Sequence, residues 1–161
     1  MMYWLAQVNI GRMLAPLSDP VMAGFVAKLD EINTLADNSE GFIWRLQTPE
    51  GNATSLRHFE DELILVNLSV WTDLATYANF VYKSQHRQLI QQRRQWFQKF
   101  EGPYTAIWWI PREHTPDVKE AKERLEHLRI HGETPYAFTF KKTFPAPAES
   151  DNISSPLIVK G

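Results

Sequence analysis

The stretch LILVNLSVW, Leu63 to Trp71, leaves few options for the fold around it. Side chains of a strand alternate between its two faces. Ile64, Val66, Leu68 and Val70 therefore make one wholly apolar face, and Leu65, Asn67, Ser69 and Trp71 a mixed one. A strand that is apolar on one face and nearly so on the other is covered on both sides. It belongs in the middle of a sheet, and the polar groups it carries there must find partners.

The rest of the chain supplies the neighbours. Tyr3 to Met13 alternates as a strand, with Trp4, Ala6, Val8 and Ile10 on one face and Leu5, Gln7, Asn9 and Gly11 on the other. Asp19 and Pro20 form a helix start, and the apolar stripe Met22, Phe25, Val26, Leu29, Ile32, Ala36 carries that helix to about Ala36. GFIWRLQ (41–47) reads as a second strand with Phe42, Trp44 and Leu46 on one face; the polar TPEGNATSLRHFED after it reads as a loop suited to be a lid. Thr72 and Asp73 open a helix with stripe Leu74, Tyr77, Ala78, Val81. The pattern slips near Lys83 and resumes with His86, Leu89, Ile90, Arg93, Phe97 and Phe100 on one helical face. Tyr104 to Ile110 is a further strand. Thr115 and Pro116 start a helix with Val118, Ala121, Leu125 and Leu128 inward and Gly132 as its stop, and Tyr136 to Phe144 alternates as a short last strand.

Strand–helix–strand–strand–helix–strand with short connections is the ferredoxin-like α+β pattern. Residues 1–144 are expected to form a single domain and 145–161, rich in Pro and Ser, a flexible tail. The pattern predicts an antiparallel sheet covered by helices on one face. The other, apolar face then needs a partner, and a second copy of the chain is the simplest, which gives a homodimer.

Composition excludes several classes of function. A formal net charge of -2 gives no basic surface for nucleic acid or an anionic membrane. The absence of cysteine removes disulfides, thiolate metal sites and a cysteine nucleophile. No apolar run approaches the roughly 18 residues of a membrane span, and the N-terminus lacks the pattern of a signal peptide, so the cytoplasm is the expected location. No Gly-rich phosphate loop is present for a nucleotide cofactor. The six Trp and nine Phe, by contrast, suggest a pocket or an interface.

SVWTDLATYANFVYKSQHRQLIQQRRQWF, followed by IWWIPREHTPDVKEAKERLEHLRIHGETPYAFTF, resembles the domain-of-unknown-function family 3291, with GFIWRL and AFTF as further landmarks; the likeness covers Tyr3 to about Phe144. The resemblance implies a dimeric α/β barrel related to the antibiotic-biosynthesis monooxygenases, with a pocket between sheet and helices in each protomer. It implies chemistry of the kind found there: cofactor-independent oxidation of quinol-like aromatics, or haem degradation using an Asn, a Trp and a His. Asn9 and His86 answer to that Asn and His. Trp71 ends its strand, and Tyr77 and Phe80 stand where the haem degraders have their Trp, a departure that argues against haem.

From the residues themselves, His86 on an apolar helical stripe is either a proton acceptor, an axial haem ligand or a hydrogen-bonded core group. Arg93 lies two helical turns further on, about 10 Å along the axis, where it would hold a carboxylate or phenolate if it does not simply pair internally. Asn9 and Asn67, on the mixed faces of neighbouring strands, read as a polar floor that orients a carbonyl or a developing oxyanion, or as a mutually satisfied core pair. Trp71, Trp44, Trp108 and Tyr77 are candidate walls for a planar aromatic molecule, with core or interface as their alternative use. No metal site is expected, since the His127/His131 pair lies on a charged surface. The expectation is thus a monooxygenase-type enzyme acting on a small aromatic molecule without cofactor, with a non-catalytic binding or sensing module, or a haem-binding protein, as alternatives.

Overall fold

A computed structural model describes residues 3–47, 61, 63–83, 93–99 and 102–147. Its strands are β1 (Tyr3–Arg12), β2 (Phe42–Arg45), β3 (Ile64–Trp71) and β4 (Thr105–Pro111); its helices are α1 (Ala23–Asp37), α2 (Leu74–Lys83) and α3 (Val118–His131). The four strands form one antiparallel sheet in the order β2-β3-β1-β4. The protein is therefore α+β, consistent with a ferredoxin-like fold, and β3 and β1 are its inner strands. The expected lid and His86 lie outside the described residues, as does all of the expected tail beyond residue 147.

Local chemistry sets the helix ends. The Asp19 carboxylate accepts from the Val21 N–H, and Pro20 opens a short 3₁₀ turn, Pro20–Met22, that runs into α1. α3 is capped by Asp117, which accepts from the Glu120 N–H at 2.8 Å, two residues later than Thr115 and Pro116 suggest. Gly132 ends it with φ at 76°.

The two faces of the sheet carry different loads. Leu5, Trp71 and Ile107 meet Ile32 and Ala36 of α1 and Tyr77, Phe80 and Val81 of α2. On the other face Ala6, Val8, Ile10, Val66, Leu68, Val70 and Trp108 pack against Val118, Ala121, Leu125 and Leu128 of α3. Helices thus cover both faces, which corrects the expectation of cover on one face alone. The stripe of α3 needs an apolar bed, and this wholly apolar face is the one that α1 and α2 do not use.

Two further differences have local causes. The register slips between Phe42 and Trp44, so Phe42 pairs with Trp71 and Trp44 with Val70, on opposite faces of the sheet. Tyr136 to Phe144 forms no strand of its own. Turns close at Thr134–Ala137 and Thr139–Lys142, leaving one bridge in which Ile107 and Phe138 exchange backbone hydrogen bonds of 2.8 and 2.9 Å.

Replacing Leu125 by Ala should lower the unfolding free energy by about 2–5 kcal/mol, because the side chain is buried between α3 and the sheet. Ile130→Ala on the same helix, 76% exposed, should change it by less than about 0.5 kcal/mol. Urea unfolding of the two variants checks both values.

Candidate functional site

A cavity of about 710 Å³ lies between the mixed sheet face and the elements α1 and α2, with Arg93, Phe97 and Tyr104 at one end. Its floor is built where β1 and β3 pair. There Asn9 stands opposite Asn67, and Gln7 opposite Ser69. Asn67 is solvent-exposed although β3 is an inner strand, so the cavity opens to water above the centre of the sheet.

Buried Gln7 is the hub of that floor. Its side-chain nitrogen donates to Asn67 Oδ1 and to Ser69 Oγ, both at 2.7 Å. Its oxygen accepts from Tyr77 O–H at 3.2 Å and from Asn9 Nδ2 at 3.3 Å. Asn9 Nδ2 also donates to Asn67 Oδ1 at 3.3 Å, and Trp71 Nε1 donates to Ser69 Oγ at 2.9 Å. The network joins three elements, β1, β3 and α2. Burial pushes the Tyr77 phenol well above its ordinary value of 10.0, which keeps it a neutral donor to Gln7.

Aromatic groups make the wall. The Trp71 ring lies 5.0 Å from Phe80, 5.7 Å from Tyr77 and 5.5 Å, edge-on, from Phe42. At the far end, Arg93 lies in a 3₁₀ turn, Arg93–Gln95. Its guanidinium sits 4.2 Å from the Tyr104 ring centroid and 5.1 Å from that of Phe97, and donates to the Ile10 carbonyl at 3.1 Å. Among the described residues no carboxylate pairs with it. Burial pulls its pKa down, partly offset by Tyr104, and the group stays charged at any physiological pH. The other arginine of the lining, Arg45, is already bound to Asp37 at 2.8 Å.

Of the residues singled out from the sequence, Asn9, Asn67, Trp71, Tyr77 and Arg93 all line this one cavity. Trp44 and Trp108 do not. Both lie on the α3 face, where Trp108 is fully buried and its Nε1 donates to Glu120 at 2.8 Å. His86 falls outside the described residues, and with it the proposed span from His86 to Arg93. Sequence reasoning placed Gln7 and Ser69 on the right face without making them site residues, and missed Phe97 and Tyr104. The signal for Gln7 was present: a long amide between Leu5 and Asn9 on the inward side of a strand must bond to something. No group of three or more His, Cys, Asp or Glu able to hold a metal occurs among the described residues. None of their helices is long and apolar enough to cross a membrane.

Fold and cavity define an α+β protein with a ligand-sized, amide-floored pocket between sheet and helices. The chain belongs to the family described as a domain of unknown function, DUF3291, whose model matches residues 4–154. No curated protein and no solved structure matches it.

Because Tyr77 holds its proton more tightly when folded, its contribution to stability is whole below pH 10 and is lost as the pH rises above that, when the unfolded chain ionises first. Tyr77→Phe should therefore cost about 1 kcal/mol at pH 7, through the lost bond to Gln7. It should also flatten the decline in stability between about pH 10 and 11, just above the free phenol. Urea unfolding of both proteins across that range reads the two effects.

Proposed function

We propose that this protein is a small-molecule enzyme of monooxygenase type, which oxidises an ionised aromatic, quinol-like compound in the cavity with dioxygen and without a bound cofactor. The observation that carries the reading is Arg93, a half-buried cation at the end of an aromatic-walled cavity with no carboxylate beside it among the described residues. A cation lining the cavity favours the ionised form of a phenol or the binding of a carboxylate. Ionisation enriches the ring in electrons, and the oxidation then draws on the substrate itself. The substrate loses two hydrogens and gains one oxygen atom, and the second oxygen leaves as water. Trp71, Phe80 and Phe42 bind the ring. Asn9 and Asn67 hydrogen-bond the developing oxyanion. His86 takes the substrate's proton, a role assigned from its position in the sequence.

A second reading, a binding or sensing module using the same cavity, is favoured by one feature. The described floor consists of amides and hydroxyls, none of which exchanges a proton readily at neutral pH. An oxygen electrode separates the two. With a hydroquinone under air, oxygen should disappear faster than in buffer, and Arg93→Ala should lower kcat/KM about 10-fold or more, on the order of 1.4 kcal/mol. A thermal shift from the same compound with no oxygen uptake establishes the binding module, and neither response overturns both readings.

The assembly proposed with it is a cytoplasmic homodimer. Its support is that α3 packs most closely on β4, while Ile43, Trp44 and Leu46 at the β2 end of the same face remain half-exposed. Light scattering should give twice the 18.7 kDa of one chain, and Trp44→Glu should return the mass of a monomer. A monomeric native protein removes the dimer without touching the cavity.

A further inference from the structure

The hydrogen bonds around Gln7 set the polarity of the cavity floor. A glutamine amide has two N–H donors and an oxygen with two lone pairs. All four are used here, by Asn67, Ser69, Asn9 and Tyr77. Asn67 must turn its oxygen inward to accept from Gln7 and Asn9, which leaves its Nδ2 on the outer side. Asn9 commits both N–H bonds of its amide, to Gln7 and Asn67, which leaves its Oδ1 outward. Neither outward atom has a hydrogen-bond partner among the described residues, and both residues line the cavity. Two adjacent strands thus present a donor and an acceptor side by side.

The cationic end lies at a fixed distance from this pair. Gly11 follows Asn9 by two residues on the same face of β1, about 6.6 Å along the strand. A side chain there would meet Phe97 at 2.7 Å and Arg93 Nη2 at 3.2 Å, so the guanidinium closes over Gly11 itself. The cationic end and the amide pair therefore stand one strand repeat apart on the same face of β1, both lining the cavity.

We infer that the cavity selects planar aromatic monoanions whose far end is amide-like, offering one acceptor and one donor together, as in a primary amide, a lactam, or a hydroxyl beside a carbonyl. Arg93 takes the anion, Asn67 Nδ2 donates to the carbonyl, and Asn9 Oδ1 accepts from the N–H or O–H. Gln7 acts as a positioning residue that holds the two asparagines in this sense. The inference rests on the proposed ligand pocket and adds the chemistry of the ligand's second end.

Two probes of nearly equal shape test it, 4-carbamoylbenzoate and 4-isopropylbenzoate, with binding to the whole chain measured by calorimetry. The carbamoyl compound should bind about 10-fold more tightly, the worth of two net hydrogen bonds. Asn67→Leu, Asn9→Leu and Gln7→Met should each bring the ratio close to one while the isopropyl compound keeps its affinity. A merely structural role for Gln7 would weaken both probes alike. A ratio within twofold of one in the native protein overturns the head-group inference without needing any variant. If the isopropyl compound still binds and Arg93→Gln abolishes that binding, the pocket reading survives. If neither probe binds, both fall.

Discussion

Gln7 is buried at the centre of the sheet with every hydrogen-bonding atom of its side chain used. A buried amide left without partners costs about 1–3 kcal/mol per group, and one fully bonded costs little. The satisfaction of this one residue needs β3 in a single register, since a slip by one residue would turn Asn67 and Ser69 to the α3 face. It also needs α2 to bring Tyr77 over the sheet. The polar centre also discriminates against a slip by two residues, which would keep both faces and cost the aliphatic side little but would take Asn67 and Ser69 from their places opposite Asn9 and Gln7.

The two sheet faces divide the work accordingly. One face packs its Val, Leu and Ile side chains against α3 and lines no part of the cavity. The mixed face is spanned by α1 and α2, whose contacts with the sheet concentrate at Leu5, Trp71 and Ile107 and leave Asn9 and Asn67 to line the cavity. An exposed asparagine on an inner strand is affordable in free energy only because water or a ligand can reach it. Stability and recognition are therefore kept in separate layers of the same small domain.

Strand faces were legible in the sequence because the period of two is local and needs no knowledge of the partner. Gln7, Asn9, Asn67, Ser69 and Trp71 fall together on that ground alone, and most of the candidate site follows from them. What lay beyond reach depended on tertiary choices. The stripe Val118, Ala121, Leu125, Leu128 announces an inward face but not which side of the sheet it seeks, and so the cover of the aliphatic face by α3 was missed. The register slip between Phe42 and Trp44 left no mark in composition, and it sends one aromatic into the cavity wall and the other to the far side. The alternation of Tyr136 to Phe144 has the period of a strand, but the turns at Thr134–Ala137 and Thr139–Lys142 leave it a single bridge to the sheet.

Arg93 shows how far a local pattern can mislead and still point the right way. Helical spacing put it on one face with Phe97, whereas the chain there is a 3₁₀ turn followed by a bridge from Phe97 to Met13. The two side chains nonetheless lie together, because both are drawn over Gly11, the one position on that face of β1 where the strand has no side chain to keep them off. A guanidinium held this way is anchored by one backbone carbonyl and two rings, none of which neutralises it. Arg93 lines the cavity, and burial there already works against its charge. An anion entering there relieves that penalty while gaining the attraction, so the electrostatic demand of the site is set before any ligand arrives.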